Sequence, residues 1–236
     1  MDHQRDKKNI ISSLLISGGL LALMWLVHFL IWVSGIDKTI FSNMPRQVEG
    51  LMGIFTSPLV HDDLWHLFSN SGPLFMFTAA ILYFYRKAAF KAGAIIWVLS
   101  GIWVWGIAHP GWHIGASGVV YGFGAFLFFS GVFRREPISI SVSLFIAAIY
   151  GSMVWGIMPG KPGISWESHL FGLIAGAVMA WHFRKVGVHP KKKYSWDEEP
   201  ENDAGDENAV WNYRQNWTGS QNIIYPGHES EGEDQN

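Results

Sequence analysis

The residues of this 236-residue chain best placed for chemistry are a serine among small neighbours, two histidines at helical spacing from polar or glycine partners, and an asparagine. Gly115-Ala116-Ser117-Gly118 places a nucleophile type where glycines permit a tight turn and close approach of another helix. If Ser117 opens a helix, the unpaired first-turn N–H groups and the positive dipole end suit an oxyanion. In His169-Leu-Phe-Gly172-Leu-Ile-Ala-Gly176, the histidine and both glycines share one helix face, and Gly172 and Gly176 form a G-x-x-x-G groove. His61-x4-His66-x3-Asn70 places His66 and Asn70 one helical turn apart, an imidazole and an amide able to donate to a developing oxyanion. For the serine and for the histidine–glycine run, plain glycine-mediated helix packing is the competing explanation.

Other hydrolytic schemes lack their residues. There is no His-Glu-x-x-His metalloprotease motif, no pair of aspartates within the apolar segments and no lysine there for a Ser–Lys dyad. The chain has no cysteine, which excludes a thiol nucleophile, a thiolate metal site and a disulfide scaffold. A metal site from His61, His66, His109 and His113 would lack carboxylates and be spread over two loops. His28 and His182 have no evident catalytic partner. Serine with histidine is what remains, and it calls for no metal or cofactor.

The elements that must position these groups are membrane helices. No Asp, Glu, Lys or Arg occurs between Ala92 and Phe133, and 49% of the chain is hydrophobic. Crossing a bilayer takes roughly 20 apolar residues as helix. Six segments meet or approach that: Ile10–Ser34, Leu64–Tyr85, Ala92–Ala108, Ser117–Phe133, Pro137–Ile157 and Ser168–Phe183. None alternates with period two as a barrel strand would. The first is too long for a signal-peptide core and is read as a retained span. The expected fold is all-α and polytopic, with segments 1–9 (cytoplasmic N-terminus), 10–185 (six spans) and 186–236 (cytoplasmic tail).

Charge sets the expected orientation. Residues 1–193 carry 16 basic and 8 acidic side chains, whereas 194–236 carry one basic and 11 acidic. With the N-terminus inside, Arg86, Lys87, Lys91, Arg134, Arg135, Arg184, Lys185 and Lys191–Lys193 all fall on the cytoplasmic side, and Lys161 and Glu167 fall in an outside loop. Both termini are then cytoplasmic, and Ser117, His169, His66 and Asn70 share one depth near the outer face. The acidic tail has a composition that favours disorder. Trp211, Tyr213, Trp217 and Ile223–Tyr225 could form a docking motif within it, Asn216 opens a glycosylation sequon on the wrong side, and Lys191–Lys193 could meet anionic headgroups.

With these motifs in this order and at these depths, the chain resembles the rhomboid intramembrane serine proteases, over about residues 10–185. The resemblance implies a six-helix rhomboid-like bundle, Ser117 as nucleophile and His169 as general base. It also implies an oxyanion hole from His66, Asn70 and the Ser117 N–H. Tyr121 would pack against His169, with His61, Gly115 and Gly118 in support. The loop Gly35–Asp63 departs from the family by lacking its common Trp-Arg pair; Arg46, after Pro45, is the nearest arginine. The implied partners are transmembrane protein substrates and the lipid bilayer, with no nucleic acid, in the plasma (inner) membrane of a bacterium. The fifth span, ending in Met158-Pro159-Gly160-Lys161-Pro162-Gly163, would be the mobile one. A non-proteolytic rhomboid-like protein that binds membrane clients is the alternative, and a channel is disfavoured by the absence of charged pathway residues.

Overall fold

The computed structural model describes residues 3–160, 163 and 165–187. The expected tail motifs, the Asn216 sequon, Lys191–Lys193 and Lys161–Pro162 of the expected hinge lie outside the described residues. Seven α-helices follow in order: α1 (His3–Ser34), α2 (Gly53–Thr56), α3 (Leu64–Phe84), α4 (Ala89–Ile107), α5 (Ser117–Arg134), α6 (Pro137–Tyr150) and α7 (Trp166–His182). No strand occurs among the described residues. α1, α3, α4, α5 and the stretch Pro137–Ile157 are long and apolar enough to cross a membrane. α7, with 17 residues, extends about 25 Å and is the short sixth member. The all-α bundle expected from the apolar segments is therefore present, and the protein is an integral, multi-pass membrane protein.

Burial separates the helices by role. α5 is the axis of the bundle, with Val119, Val120, Phe126 and Leu127 almost wholly enclosed. α1 and α6 present large apolar side chains outward, Leu15 at 70% and Leu144 at 65% exposure. In water such exposure would be costly; against lipid tails it is the expected state. α1 is tied to α3 where the Trp25 indole N–H donates to Ser71 Oγ at 3.0 Å.

The α5–α7 seam is the tightest contact, and its cause is legible residue by residue. A Cβ on Gly172 would collide with the Gly118 carbonyl, and one on Gly176 with the Gly122 carbonyl. Only glycine lets the two backbones approach this closely. The groove read from Gly118, Gly122, Gly172 and Gly176 is thus a real interface.

The fifth expected span is not a single α-helix. α6 stops at Tyr150 and continues as a 3-10 helix over Gly151–Ile157. The loop Gly35–Asp63, without the family's Trp-Arg pair, is nonetheless built and anchored. It forms 3-10 turns at Lys38–Phe41, Val48–Leu51 and Ser57–Leu59 around α2. The Asn43 amide donates to the Gly101 carbonyl at 2.8 Å, the Trp105 indole to the Gln47 carbonyl at 2.8 Å and the Arg46 guanidinium to the Ala108 carbonyl at 2.8 Å. These bonds fasten the loop along α4 and to the start of the α4–α5 connection.

Candidate active site

α3 brings His66 and Asn70 to the site. Asp63 caps the helix by accepting from the His66 backbone N–H at 2.8 Å. That bond holds the Asp63 carboxyl below the usual carboxylate range. One turn on, the Asn70 amide donates to the His66 carbonyl at 2.9 Å, which uses one of its two N–H groups. The His66 ring lies over Gly115, where a Cβ would come within 2.5 Å of it. Gly115 also has φ +108°, a conformation open to glycine and strained for other residues.

α5 begins at Ser117, and the turn before it is held from behind. The Gly115 N–H donates to the Ser57 carbonyl at 2.9 Å, and the Ala116 N–H to His61 Nε2 at 3.2 Å. His61 is 2% exposed. Burial, followed by the adjacent His66, pushes its pKa down to about 3. A neutral imidazole that accepts at Nε2 suits its role as a rest for the serine turn. α5 has no side-chain cap, so no side chain of the cap residue covers its first-turn amides.

α7 carries His169 three residues from its start, behind the Ser165 cap, which accepts from the Ser168 N–H at 3.3 Å. His169 Nδ1 lies 2.8 Å from the Gly156 carbonyl oxygen. A carbonyl can only accept, so Nδ1 bears the hydrogen and Nε2 keeps its lone pair. The imidazole stacks on Tyr121 with ring centroids 4.1 Å apart and planes 6° apart. The Tyr121 hydroxyl in turn donates to the Met153 carbonyl at 2.7 Å. Both carbonyls belong to the 3-10 segment after α6.

Ser117, His169, His66, Asn70 and Tyr121 line one cavity of about 1030 Å³. The three groups of candidates, separated by up to about a hundred positions in sequence, converge there. His61, Gly115 and Gly118 do not line it; they shape its wall. Sequence reasoning missed Gly156 and Met153, whose contributions are backbone carbonyls. It also assigned Glu167 to a loop, whereas Glu167 is a buried residue in the first turn of α7. The reason is the Ser165 cap, which starts the helix two residues before the apolar run. Glu167 cannot act as a triad carboxylate, because positions two apart on a helix face away from each other. It binds His109 instead.

The four histidines weighed as a metal site part company. The rings of His61 and His66 meet edge to face with centroids 5.0 Å apart, while His109 and His113 bind Glu167 and Ser165. Among the described residues no three His, Cys, Asp or Glu side chains gather to hold an ion.

The sequence profile of the rhomboid domain matches residues 48–186, a stretch that includes every residue lining the cavity. The chain belongs to the rhomboid family. It is 36% identical over 173 residues to uncharacterized proteins of Mycobacterium tuberculosis and Mycobacterium bovis, covering 68% of this chain and 70% of each of theirs. An uncharacterized protein of Mycobacterium leprae is 33% identical over 144 residues, 57% of each chain. As a rhomboid protein with several apolar helices, the chain is at home in a bilayer, in a family whose members are typically intramembrane serine proteases.

Proposed function

We propose that this rhomboid protein is an intramembrane serine endopeptidase that cuts transmembrane segments of other membrane proteins, with Ser117 and His169 as its dyad. The observation that carries this reading is the setting of His169. Its Nδ1–H is tied to the Gly156 carbonyl and its ring is stacked on Tyr121, in a cavity that also exposes Ser117. A carbonyl and an aromatic face here do the orienting that a carboxylate does in a triad.

His169 Nε2 takes the Ser117 proton as Oγ attacks the scissile carbonyl. The negative charge passes to the carbonyl oxygen, where the Ser117 N–H, the free Asn70 amide hydrogen and His66 are the donors. The tetrahedral intermediate collapses, and His169 gives its proton to the leaving amine. Water, activated by the same imidazole, then releases the acyl group from Ser117. No metal or cofactor enters these steps. The cavity, with His66, Asn70 and His169 among its lining, supplies water where surrounding helices screen the site from lipid, and a substrate helix must unwind locally because its backbone bonds are otherwise satisfied. In the orientation favoured by the basic residues, the cut lies near the outer face of a bacterial plasma membrane, with both termini cytoplasmic and the segment from 186 onward a separate cytoplasmic tail.

A fluorophosphonate probe applied in detergent, together with cleavage of a single-span substrate in proteoliposomes, tests the reading. Wild-type protein is expected to label and to cleave. Ser117→Ala should do neither, and His169→Ala should lose cleavage while the protein still folds and inserts. Full cleavage by either variant would remove the dyad. Wild-type protein that binds single-span proteins without ever cleaving them would favour the client-binding alternative.

A further inference from the structure

The proposed dyad is assembled from two separate elements. Ser117 ends the α4–α5 connection, residues 108–116, and His169 sits in the opening turn of α7. The glycine seam fixes the helices below them. Above the seam, a second set of contacts joins the same two elements.

Glu167 Oε1 accepts from His109 Nδ1 at 2.8 Å and from the His109 backbone N–H at 3.4 Å. The carboxylate is 9% exposed while the imidazole is 82% exposed, so the acid is anchored in the protein and the histidine reaches down to it. A parallel link runs through His113, which is buried. Its Nε2 lies 3.1 Å from the His109 carbonyl and therefore carries the hydrogen in the neutral ring. Nδ1 is then the acceptor for the Ser165 hydroxyl, 2.5 Å away. Ser165 Oγ keeps its lone pairs for the Ser168 N–H and the Ser168 hydroxyl, the latter at 2.6 Å. Every donor in this chain meets an acceptor, and the chain ends at the residue before His169.

The far side of the connection is fastened as well. Asn43 and His113 exchange backbone hydrogen bonds at 3.0 Å, and Arg46 holds the Ala108 carbonyl. The connection is thus clamped between the loop on α4 and the start of α7, with Ser117 at its end.

We infer that Glu167 and His109 are positioning residues: together they staple the α4–α5 connection to α7 and so set the distance between Ser117 and His169. This inference rests on the proposed dyad. Both line the cavity, but neither is hydrogen-bonded to Ser117 or His169. Their effect is on alignment, and alignment is where small displacements are expensive: about 1 Å of misplacement can cost 100-fold in rate.

The test uses full-length protein in proteoliposomes and the variants Glu167→Ala, His109→Ala, the double variant and His109→Asn. Asparagine offers an amide N–H close to the place of Nδ1. Both alanine variants are expected to lose about 10- to 100-fold in kcat with KM within about twofold of wild type. The double variant should be no worse than the worse single, because one link is broken once. His109→Asn should recover most of the loss. Fluorophosphonate labelling of Ser117 should slow in step with kcat. Thermal unfolding of wild type, the two alanine variants and the double variant gives an activity-independent double-mutant cycle, in which the two residues should be coupled. Additive kcat losses, a change confined to KM, failure of asparagine to rescue, or coupling in unfolding without loss of kcat would each overturn the positioning role. If wild-type protein neither cleaves nor labels, the protease reading fails and the positioning role with it. The unfolding cycle would then still report whether the staple exists, which separates the two failures.

Discussion

His169 is gripped from two sides that differ in kind. Toward α5, α7 meets a backbone: Gly172 and Gly176 leave no space against the Gly118 and Gly122 carbonyls. Toward α6 it meets the 3-10 segment Gly151–Ile157, where no residue is buried; the direct link is the bond from His169 Nδ1 to the Gly156 carbonyl, seconded by Tyr121 of α5, which stacks on the imidazole and donates to the Met153 carbonyl. The first contact is dispersion between surfaces that fit in one register. The second is directional, with an acceptor placed so as to select one imidazole tautomer. A rigid seam can hold a histidine at the right depth, but it cannot tell Nδ1 from Nε2. The Gly156 carbonyl can make that choice, and it lies on an element with much less packing behind it. The difference suggests a division of labour in which α5 fixes where the base is and the 3-10 segment fixes which proton it carries.

The sharpest way to break this comparison is to add the same methyl group on each side. Gly172→Ala places a Cβ against backbone that cannot yield, so it should destabilise the protein by about 3 kcal/mol and take activity with it. Gly156→Ala directs its Cβ at the Tyr121 hydroxyl and to 3.1 Å from His169 Nδ1. The 3-10 segment can move outward, so stability should fall by about 1 kcal/mol or less while kcat falls about tenfold or more. Thermal unfolding and turnover measured on the same preparations check both. Equal destabilisation by the two variants would mean that the segment is as rigid as the seam.

An intermediate effect is expected at the fixed wall behind Ser117. His61 is held neutral in the folded protein, with its pKa lowered to about 3 by burial first and by His66 second, against about 6.5 when unfolded. Between those values the unfolded state binds more protons, so stability is full above about pH 6.5 and declines as pH falls toward 3. His61→Gln keeps an acceptor for the Ala116 N–H and does not titrate. Its unfolding temperature should therefore fall less steeply from pH 7 to pH 4 than that of wild type. Parallel slopes would show that another group carries the acid sensitivity.

These expectations also mark what the sequence could and could not disclose. Apolar run lengths announced α3, α4, α5 and α7 within a few residues, because bilayer thickness leaves little freedom, but not that α1 begins at His3 or that α6 gives way to a 3-10 helix after Tyr150. Ser117, His169, His66, Asn70 and Tyr121 announced themselves by side-chain type and spacing, and they meet in one cavity. The glycine seam was legible for the same reason: absence of a side chain is a signal. The carbonyls of Gly156 and Met153 were not legible, since every residue has a carbonyl and only the fold decides which one faces the imidazole and which the Tyr121 hydroxyl. Glu167 was misplaced because hydropathy locates the apolar core of a helix, not its polar first turn. The anchoring of the loop Gly35–Asp63 was hidden likewise, resting on indole, amide and guanidinium donors that meet backbone carbonyls.

The smallest effect expected is also the one that separates the two contributions of Tyr121, which bridges His169 and the 3-10 segment. Tyr121→Phe deletes the hydroxyl that donates to the Met153 carbonyl and keeps the ring that stacks on His169. One neutral hydrogen bond contributes about 0.5–1.5 kcal/mol net, which corresponds to roughly a two- to twelvefold change if all of it is expressed in turnover. The remaining bond from His169 Nδ1 to Gly156 still selects the tautomer, so kcat should drop by only about threefold and KM should hold. Tyr121→Leu removes the aromatic face as well and leaves the imidazole free to tilt; its loss should exceed that of phenylalanine by about tenfold. Steady-state cleavage of one substrate by the three proteins distinguishes the contributions. If phenylalanine were as damaging as leucine, the hydroxyl would be the working part of Tyr121, and the stack a consequence of close packing. If neither variant lost activity, Tyr121 would contribute nothing to the base, and the Gly156 carbonyl and the glycine seam would have to orient it.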